Sequence, residues 1–533
     1  MISWVDSVKM QKRVQKRKQK ECDKTELALK IGFIIMPLLL SLLIMIPKWI
    51  SQGFVALPGV KWNDGAVYIK LIQTYSKFFT PKGYWGFDAN HALFGTGSAW
   101  SPAILFPYLI PAIIFPVGYS FVYVCNMIYV MGANAAFLFL TKPKKSNLIK
   151  LILAQVSSIV FILYLNTNMS EMFRYALAIL IAGLLYKMLF DNCPKWIKYA
   201  LTPIVIVYAV QVYTFFAFCI PIYVFALLKK KKLWVKLVVS VIATAGIAVV
   251  SYAILHLISS NYAIGKTESL LAFISEGHIL LAIKSFAGMI IDGAKGLLDL
   301  RFYVKTNGLY IFHVMIALLL IVSSIITIFS KNIDKEDRAI SIIVAYSVAI
   351  FFFAYMTLYT IVPDTFTRGT EIAVIFSIYL LMMTKDKYLA WAIIVCNATG
   401  LLFLPVNLRT FQGNERYYTR EERVAVKEWA DEMKYVINMD DSSDPWDNTI
   451  LLYTMEPRAI LAMPEGMGLN FVLHNDYYGS DAKYIFIPRF SHSREDWIEQ
   501  SYGYLMAEYG VTIEYYYECI YEKDGYFCYK RKE

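Results

Sequence analysis

The run IGFIIMPLLLSLLIMIP, Ile31–Pro47, sits directly behind a basic tail containing Lys9, Lys12, Arg13, Lys16, Arg17, Lys18, Lys20, Lys24 and Lys30. As a helix it rises about 25 Å, close to the ~30 Å hydrocarbon core of a bilayer. It is longer than the apolar region of a signal peptide, and no small-x-small cleavage site follows, so a retained signal anchor is expected. Further apolar runs cover Phe121–Leu140, Leu148–Leu165, Tyr175–Phe190, Leu237–Ile258, Gly308–Phe329, Ala339–Val362, Glu371–Thr384 and Tyr388–Pro405. The expected class is therefore an α-helical polytopic membrane protein of about 9–11 spans plus re-entrant or half helices.

Composition agrees. Of 533 residues, 58% are hydrophobic and 16% aromatic, with a mean hydropathy of +0.48. Soluble domains do not sustain that bias. Much of the net charge of +11 lies in the tail beside the first apolar run, where it sets topology and meets anionic lipid; no nucleic-acid partner is implied.

The connections sort into two sets. Lys142–Lys150, Lys187–Lys198, Lys229–Lys232, Lys331–Arg338 and Lys385–Lys387 are basic like the tail, which marks a cytoplasmic face. The opposite set holds Asp64, Asp88, His91, Glu171, Arg174, Arg301, Asp364, Arg368 and Glu371, and is expected to face outward. The reading is a multi-pass cell-membrane protein: a basic cytoplasmic tail (1–30), a transmembrane region (31–405) with outer loops at 48–100 and 259–307, and a small C-terminal α/β extracytoplasmic domain (406–533).

Two stretches resist a simple span. Ser101–Val117 is broken by Pro102, Pro107, Pro111 and Pro116, and reads as a short re-entrant or interfacial helix. Tyr199–Leu228 lies between two basic connections, so it must return to its own side: two half-helices with an apex near Gln211, Tyr213 and Thr214. Broken helices at membrane depth persist only inside protein or along a wet cavity. The loop Ser259–Asn307 reads as one or two amphipathic helices on the membrane. In the C-terminal region, Thr419 and Glu422 form a capping box before Val426, Trp429, Ala430 and Met433. Ile450–Met455 and Tyr484–Pro488 read as strands, Ser493–Glu508 as a helix and Val511–Tyr529 as a hairpin. Cys519 and Cys528 are the one pair able to meet, across a turn at Asp524-Gly525.

Asp64 lies in Trp62-Asn63-Asp64-Gly65-Ala66-Val67-Tyr68. A carboxylate there can take a proton from a hydroxyl or bind a divalent cation; it can equally cap the helix that follows. Counting back from Lys187 and from Thr384 puts Glu171/Arg174 and Arg368/Glu371 at similar depth, each pair three residues apart on one helix face. Both functional and interfacial ion-pair readings stand, since charge at depth faces protein or water. Arg301 can meet a lipid phosphate, in a site or at a headgroup. His91, in a glycine-rich turn, is a ligand, an acid–base group or an ordinary loop histidine. His256 and His313 read as packing residues, and no zinc spacing is present.

These features resemble the GT-C superfamily of polytopic glycosyltransferases: Asn63-Asp64-Gly65 with Tyr68 in a long first outer loop, and the proline-led run Ser101-Pro102-Ala103-Ile104-Leu105 that ends it. Leu93-Phe94-Gly95-Thr96-Gly97 ahead of Ser101-Pro102 is also similar to YfhO-type bacterial membrane proteins. The match runs in order over about the first 140 residues, and beyond them only in architecture. The family often pairs acidic residues where this chain has Asn63 before Asp64. The resemblance implies a membrane glycosyltransferase moving a sugar from a polyprenyl-phosphate carrier to a glycan, lipid or protein acceptor at the cell envelope. Asp64 would be base or cation ligand, and one of Arg174, Arg301 and Arg368 the phosphate ligand. The only cofactor it suggests is a divalent cation, Mg or Mn. A transporter, flippase or export component for lipid-linked glycan would instead show internal pseudo-repeats and midplane charges, which this sequence does not display. A scaffold would tolerate loss of Asp64, Glu171 and Arg368 together.

Overall fold

The computed structural model describes residues 2–52, 63–79, 102–258, 266–297, 299, 309–331, 333–358, 363–385, 387–403, 420–442, 447–452, 454, 456–471, 482–488 and 516–532. His91, Arg301, Thr419 and the helix expected over Ser493–Glu508 lie outside the described residues. Arg368 belongs to a described helix, but its side chain lies outside the description.

The chain enters through α1 (Ile2–Gln52), of which Lys24–Pro47 is long and apolar enough to cross a membrane. The first loop carries α2 (Asn63–Phe78). A 3-10 turn, Pro102–Ile104, then leads into α3 (Phe106–Ile114), the short proline-led helix expected there. The bundle continues with α4 (Phe121–Thr141), α5 (Lys145–Ser157), α6 (Ile159–Leu165) and α7 (Glu171–Phe190). Next come α8 (Thr202–Val212), a 3-10 apex at Thr214–Phe218 and α9 (Cys219–Leu227): the two half-helices that the flanking charges required. After α10 (Leu233–Ile258), α11 (Lys266–Ser275) and α12 (Ile279–Leu297) form the second loop, and α13 (Leu309–Phe329), α14 (Lys335–Leu358), α15 (Pro363–Leu381) and α16 (Lys387–Gly400) complete the bundle. Among the described residues Phe121–Thr141, Glu171–Phe190, Leu233–Ser251 and Lys335–Thr357 also meet the length and apolarity of a span, and 313–329, 369–381 and 388–400 are shorter apolar helices.

One span departs from the expected single helix. Leu148–Leu165 is split into α5 and α6, bent by 65° at Ser158. The backbone of Ser158 is extended there, and its hydroxyl donates to Glu371 Oε1 at 3.2 Å. A tertiary hydrogen bond thus replaces the local helical geometry, which the apolar run alone does not reveal.

The basic connections gather at one end of the bundle. Lys150 Nζ donates to Thr384 O (2.7 Å), Asn147 to Met383 O (3.1 Å), Lys229 Nζ to Leu189 O (2.7 Å), and the Tyr186 hydroxyl to Glu336 Oε1 (2.7 Å). Lys385 pairs with Asp334. At the other end, Asn168 accepts from Tyr123 N (2.8 Å) and donates to Tyr119 O (2.7 Å), tying the α6–α7 turn to the start of α4. In the interior, Asn134 donates to Phe33 O (3.1 Å) and accepts from Gln155 (3.0 Å) and Tyr379 (2.9 Å), joining α1, α4, α5 and α15. Where lipid supplies no alternative partner, such bonds hold the helices in register.

The C-terminal region holds α17 (Arg420–Val436), β1 (Thr449–Leu452), α18 (Pro457–Ala462), β2 (Gly468–Phe471), β3 (Tyr484–Pro488), β4 (Tyr517–Lys523) and β5 (Tyr526–Arg531). The sheet order is β2-β1-β3-β5-β4, with β1 parallel to β2 and β3, and β5 antiparallel to β3 and β4. Trp429 of α17 packs on Phe486 and Tyr526. The hairpin turns at Asp524-Gly525 as expected, yet Cys519 and Cys528 are both free thiols. The register places Cys519 opposite Tyr529 and Cys528 opposite Tyr521; Cys528 is buried and Cys519 exposed.

Candidate functional site

Helix α2 brings two side chains to one face: Asp64 in its first turn and Tyr68 one turn later. Asp64 is buried, 7% exposed, and the open N–H groups of the helix start favour its negative charge. Tyr68 reaches across to the turn before α7, where its hydroxyl lies 3.0 Å from Ser170 Oγ.

Helix α7 supplies the opposite wall. Arg174 Nη2 donates to the same Ser170 Oγ at 3.1 Å, and Nη1 lies 3.9 Å from Glu171 Oε1. The guanidinium also stands 4.6 Å over the ring of Tyr213, delivered by the break between α8 and the 3-10 apex. Glu171 is buried while the Arg174 side chain keeps 14% exposure, so the cation is the more accessible member of the pair. Burial raises the Tyr68 hydroxyl well above its ordinary value; Arg174 opposes that, while Glu171 and Asp64 add to it. Asp64, Glu171 and Arg174 are thus each within electrostatic reach of Tyr68. Of the acids and cations expected on the outer side, these three are the ones that lie around Tyr68.

Glu371 lies in a second, fully buried cluster. It accepts from Ser158 and pairs through Oε2 with His313 Nδ1 at 3.1 Å. With Nδ1 donating, His313 Nε2 accepts from Thr370. His313, expected to be a packing residue, is instead the polar link from α13 to α15. Tyr175 stands between the clusters, within reach of Glu171, Arg174 and Glu371. The paired motifs of α7 and α15 do lie on packed helices, but Glu171/Arg174 form one unit and Glu371 joins another.

The N-terminal turns of α15 approach Tyr213 closely. A Cβ at Gly369 would lie 2.7 Å from Tyr355 Cε2 and 3.0 Å from both tyrosine hydroxyls. Gly369→Val is expected to destabilise by about 1–3 kcal/mol through overpacking, and to push Tyr213 off Arg174. Thermal unfolding of purified protein measures the first effect; an unchanged melting temperature would contradict the close packing.

No protein-family model matches the chain, and no curated protein matches it. Among solved structures it is similar to the oligosaccharyltransferase AglB of Archaeoglobus fulgidus in complex with an inhibitory peptide and a dolichol-phosphate. That likeness has a TM-score of 0.46 at 11% identity over 95% of this chain and 74% of the other. The same archaeal enzyme with Zn and sulfate gives 0.44 at 13% identity, over 94% and 73%.

The donor set bears on a metal only weakly. Among the described residues no three His, Cys, Asp or Glu side chains converge. Asp64 and Glu171 offer two carboxylates, short of a protein-only oxygen cage, and Arg174 already places a cation against Glu171.

The back face of α2 is turned to the C-terminal region. Lys70, only 5% exposed, donates to Met463 O. Burial pulls its ammonium down to about 8 from 10.5, with Glu465 opposing. Between those values the folded amine is neutral while the unfolded lysine holds its proton, so the unfolded chain binds more protons and stability rises with pH. Lys77 on the same helix and Glu465 are charged neighbours of that face, and Lys427, Asp431, Lys434, Asp440 and Asp441 line the cavity beside it. Melting temperature is expected to gain between pH 8 and 10.5 relative to Lys70→Met measured in parallel; parallel curves would refute the buried lysine.

Proposed function

We propose that the chain is a membrane glycosyltransferase that moves a sugar from a polyprenyl-phosphate carrier to a cell-envelope acceptor at the outer face. What supports this reading is one observation above the rest. A buried carboxylate, Asp64, and a partly exposed guanidinium, Arg174, both lie within electrostatic reach of the Tyr68 hydroxyl, at the end of the bundle away from the basic connections. Positive connections stay in the cytoplasm, which puts this group of side chains on the outer side, with the N-terminus inside and the C-terminal region outside.

The chemistry follows from the two charges. The acceptor hydroxyl attacks the anomeric carbon, the carbon–oxygen bond to the lipid phosphate breaks, and the hydroxyl proton passes to Asp64. The departing phosphate gains negative charge as that bond breaks. Arg174 stabilises it more than the ground state because its guanidinium is already oriented by Ser170, Glu171 and the face of Tyr213. Arg174 is thereby preferred among the three candidate arginines. Arg368 keeps its role as a candidate phosphate ligand on the sequence argument alone. Glu171 orients Arg174, and Glu371 holds α15 through His313 and Ser158. His91 and Arg301 are assigned to donor or acceptor binding on the sequence argument alone.

The test is direct. Purified protein is incubated with radiolabelled polyprenyl-phosphate sugars and membrane lipids, and a labelled product other than free sugar is expected. Movement of the labelled carrier between leaflets without any product would favour the flippase reading instead.

A further inference from the structure

Helix α2 has two opposed faces. At 100° per residue Asp64 and Tyr68 lie on one side, and Lys70, Gln73 and Lys77 lie on the other. The second side packs on the C-terminal region, and specific hydrogen bonds fix its register there. Lys70 donates to Met463 O and Gln73 Nε2 to Glu465 Oε1 at 2.8 Å; Gln73 also donates to Val117 O at 3.1 Å, which ties α2 to the segment between α3 and α4. Gly466, at φ +88°, allows the turn to lie against the end of α2: a Cβ there would stand 3.0 Å from Lys77 Cδ and 3.2 Å from Phe78. Elsewhere between α2, α17 and α18 a cavity of about 890 Å³ intervenes. Ile69 and Ile72 of α2 share one hydrophobic core with Leu461 and Met463, and the Lys70 bond is a buried polar contact set beside that core.

We infer that Lys70 is a positioning residue through which the C-terminal region sets the location of Asp64. The inference rests on the transfer reading above for its catalytic consequence, but not for its structural one. A lysine 5% exposed is costly to bury unless its donors are used, and its Met463 bond uses one of them at the centre of α2. Six residues earlier, on the opposite face, Asp64 has no freedom to shift unless α2 itself moves. Displacement of a general base by about 1 Å costs on the order of 10²-fold in rate, because proton transfer requires hydrogen-bond contact.

The experiment uses the full-length protein in detergent or nanodiscs, with hydrogen exchange of α2 amides and initial-rate kinetics read side by side. Lys70→Met is expected to speed exchange over 64–78 at least about tenfold and to lower kcat by about 10–100-fold, with KM changed less than about threefold. Lys70→Arg, which keeps a donor for Met463 O, is expected to restore most of both. Gln73→Ala, milder and partly exposed, is expected to move both readouts the same way and serves if Lys70→Met does not fold. Unchanged α2 exchange in both Lys70→Met and Gln73→Ala would overturn the inference, as would faster exchange with full turnover. Absence of transfer by the parent protein would count against the function, and the exchange readout would then decide the fastening by itself.

Discussion

Replacing Asp64 by Asn is expected to abolish sugar transfer, lowering turnover by at least ~10²-fold, while membrane levels and melting stay those of the parent. The substitution keeps the shape and the ability to accept hydrogen bonds from the open amides of the first turn of α2, so the capping role survives. What disappears is the basic oxygen that takes the acceptor proton. Only the functional reading of Asp64 predicts that separation of activity from stability; a pure cap predicts small losses of both. Tyr68 does not substitute as base, because burial and the adjacent carboxylates hold its hydroxyl protonated. Full turnover in Asp64→Asn would remove Asp64 from the mechanism and, with it, the central support for glycosyl transfer.

The second large effect is expected at Arg174. Arg174→Gln removes the charge that meets the departing phosphate, and kcat/KM is expected to fall by about 10²–10³-fold. It also leaves Glu171, whose side chain is 3% exposed, without its 3.9 Å cation partner, so the melting temperature is expected to fall too. Arg174→Lys separates the two consequences. A lysine retains a charge near Glu171, but it cannot reproduce the fork that reaches Ser170 and Glu171 together or lie flat over Tyr213. Stability is therefore expected to return in Arg174→Lys, with transfer only partly restored. Equal recovery of both would show that Arg174 serves the fold alone. Steady-state kinetics and thermal unfolding on the three proteins make the comparison.

Several features could be read along the chain. The break in Tyr199–Leu228 followed from two flanking basic segments that both belong on one side, and the structure places the apex at Tyr213–Phe218. The hairpin at Asp524-Gly525 and the helix after the Thr419–Glu422 capping box followed from local chemistry. The kink at Ser158 did not, because its cause is a carboxylate 213 residues away. His313 was not legible either: in an apolar run it resembles any packed histidine until α15 brings Glu371 to its ring nitrogen. Strand β2 and helix α18 are short, and no strong periodicity marks them.

Membrane class, the sorting of basic from reactive connections and the candidate acids and cations all came from the linear chain. Apolar length and charge asymmetry act on each segment separately, so one dimension suffices to read them. Which of those residues meet was decided by packing. Tyr68 and Ser170 are 102 residues apart, and Tyr213 reaches Arg174 from another broken helix. Such contacts depend on how helices cross and where they bend, and no local preference encodes either. For the same reason Lys70, an ordinary helix lysine in the sequence, became a buried fastening only when the C-terminal region closed over it.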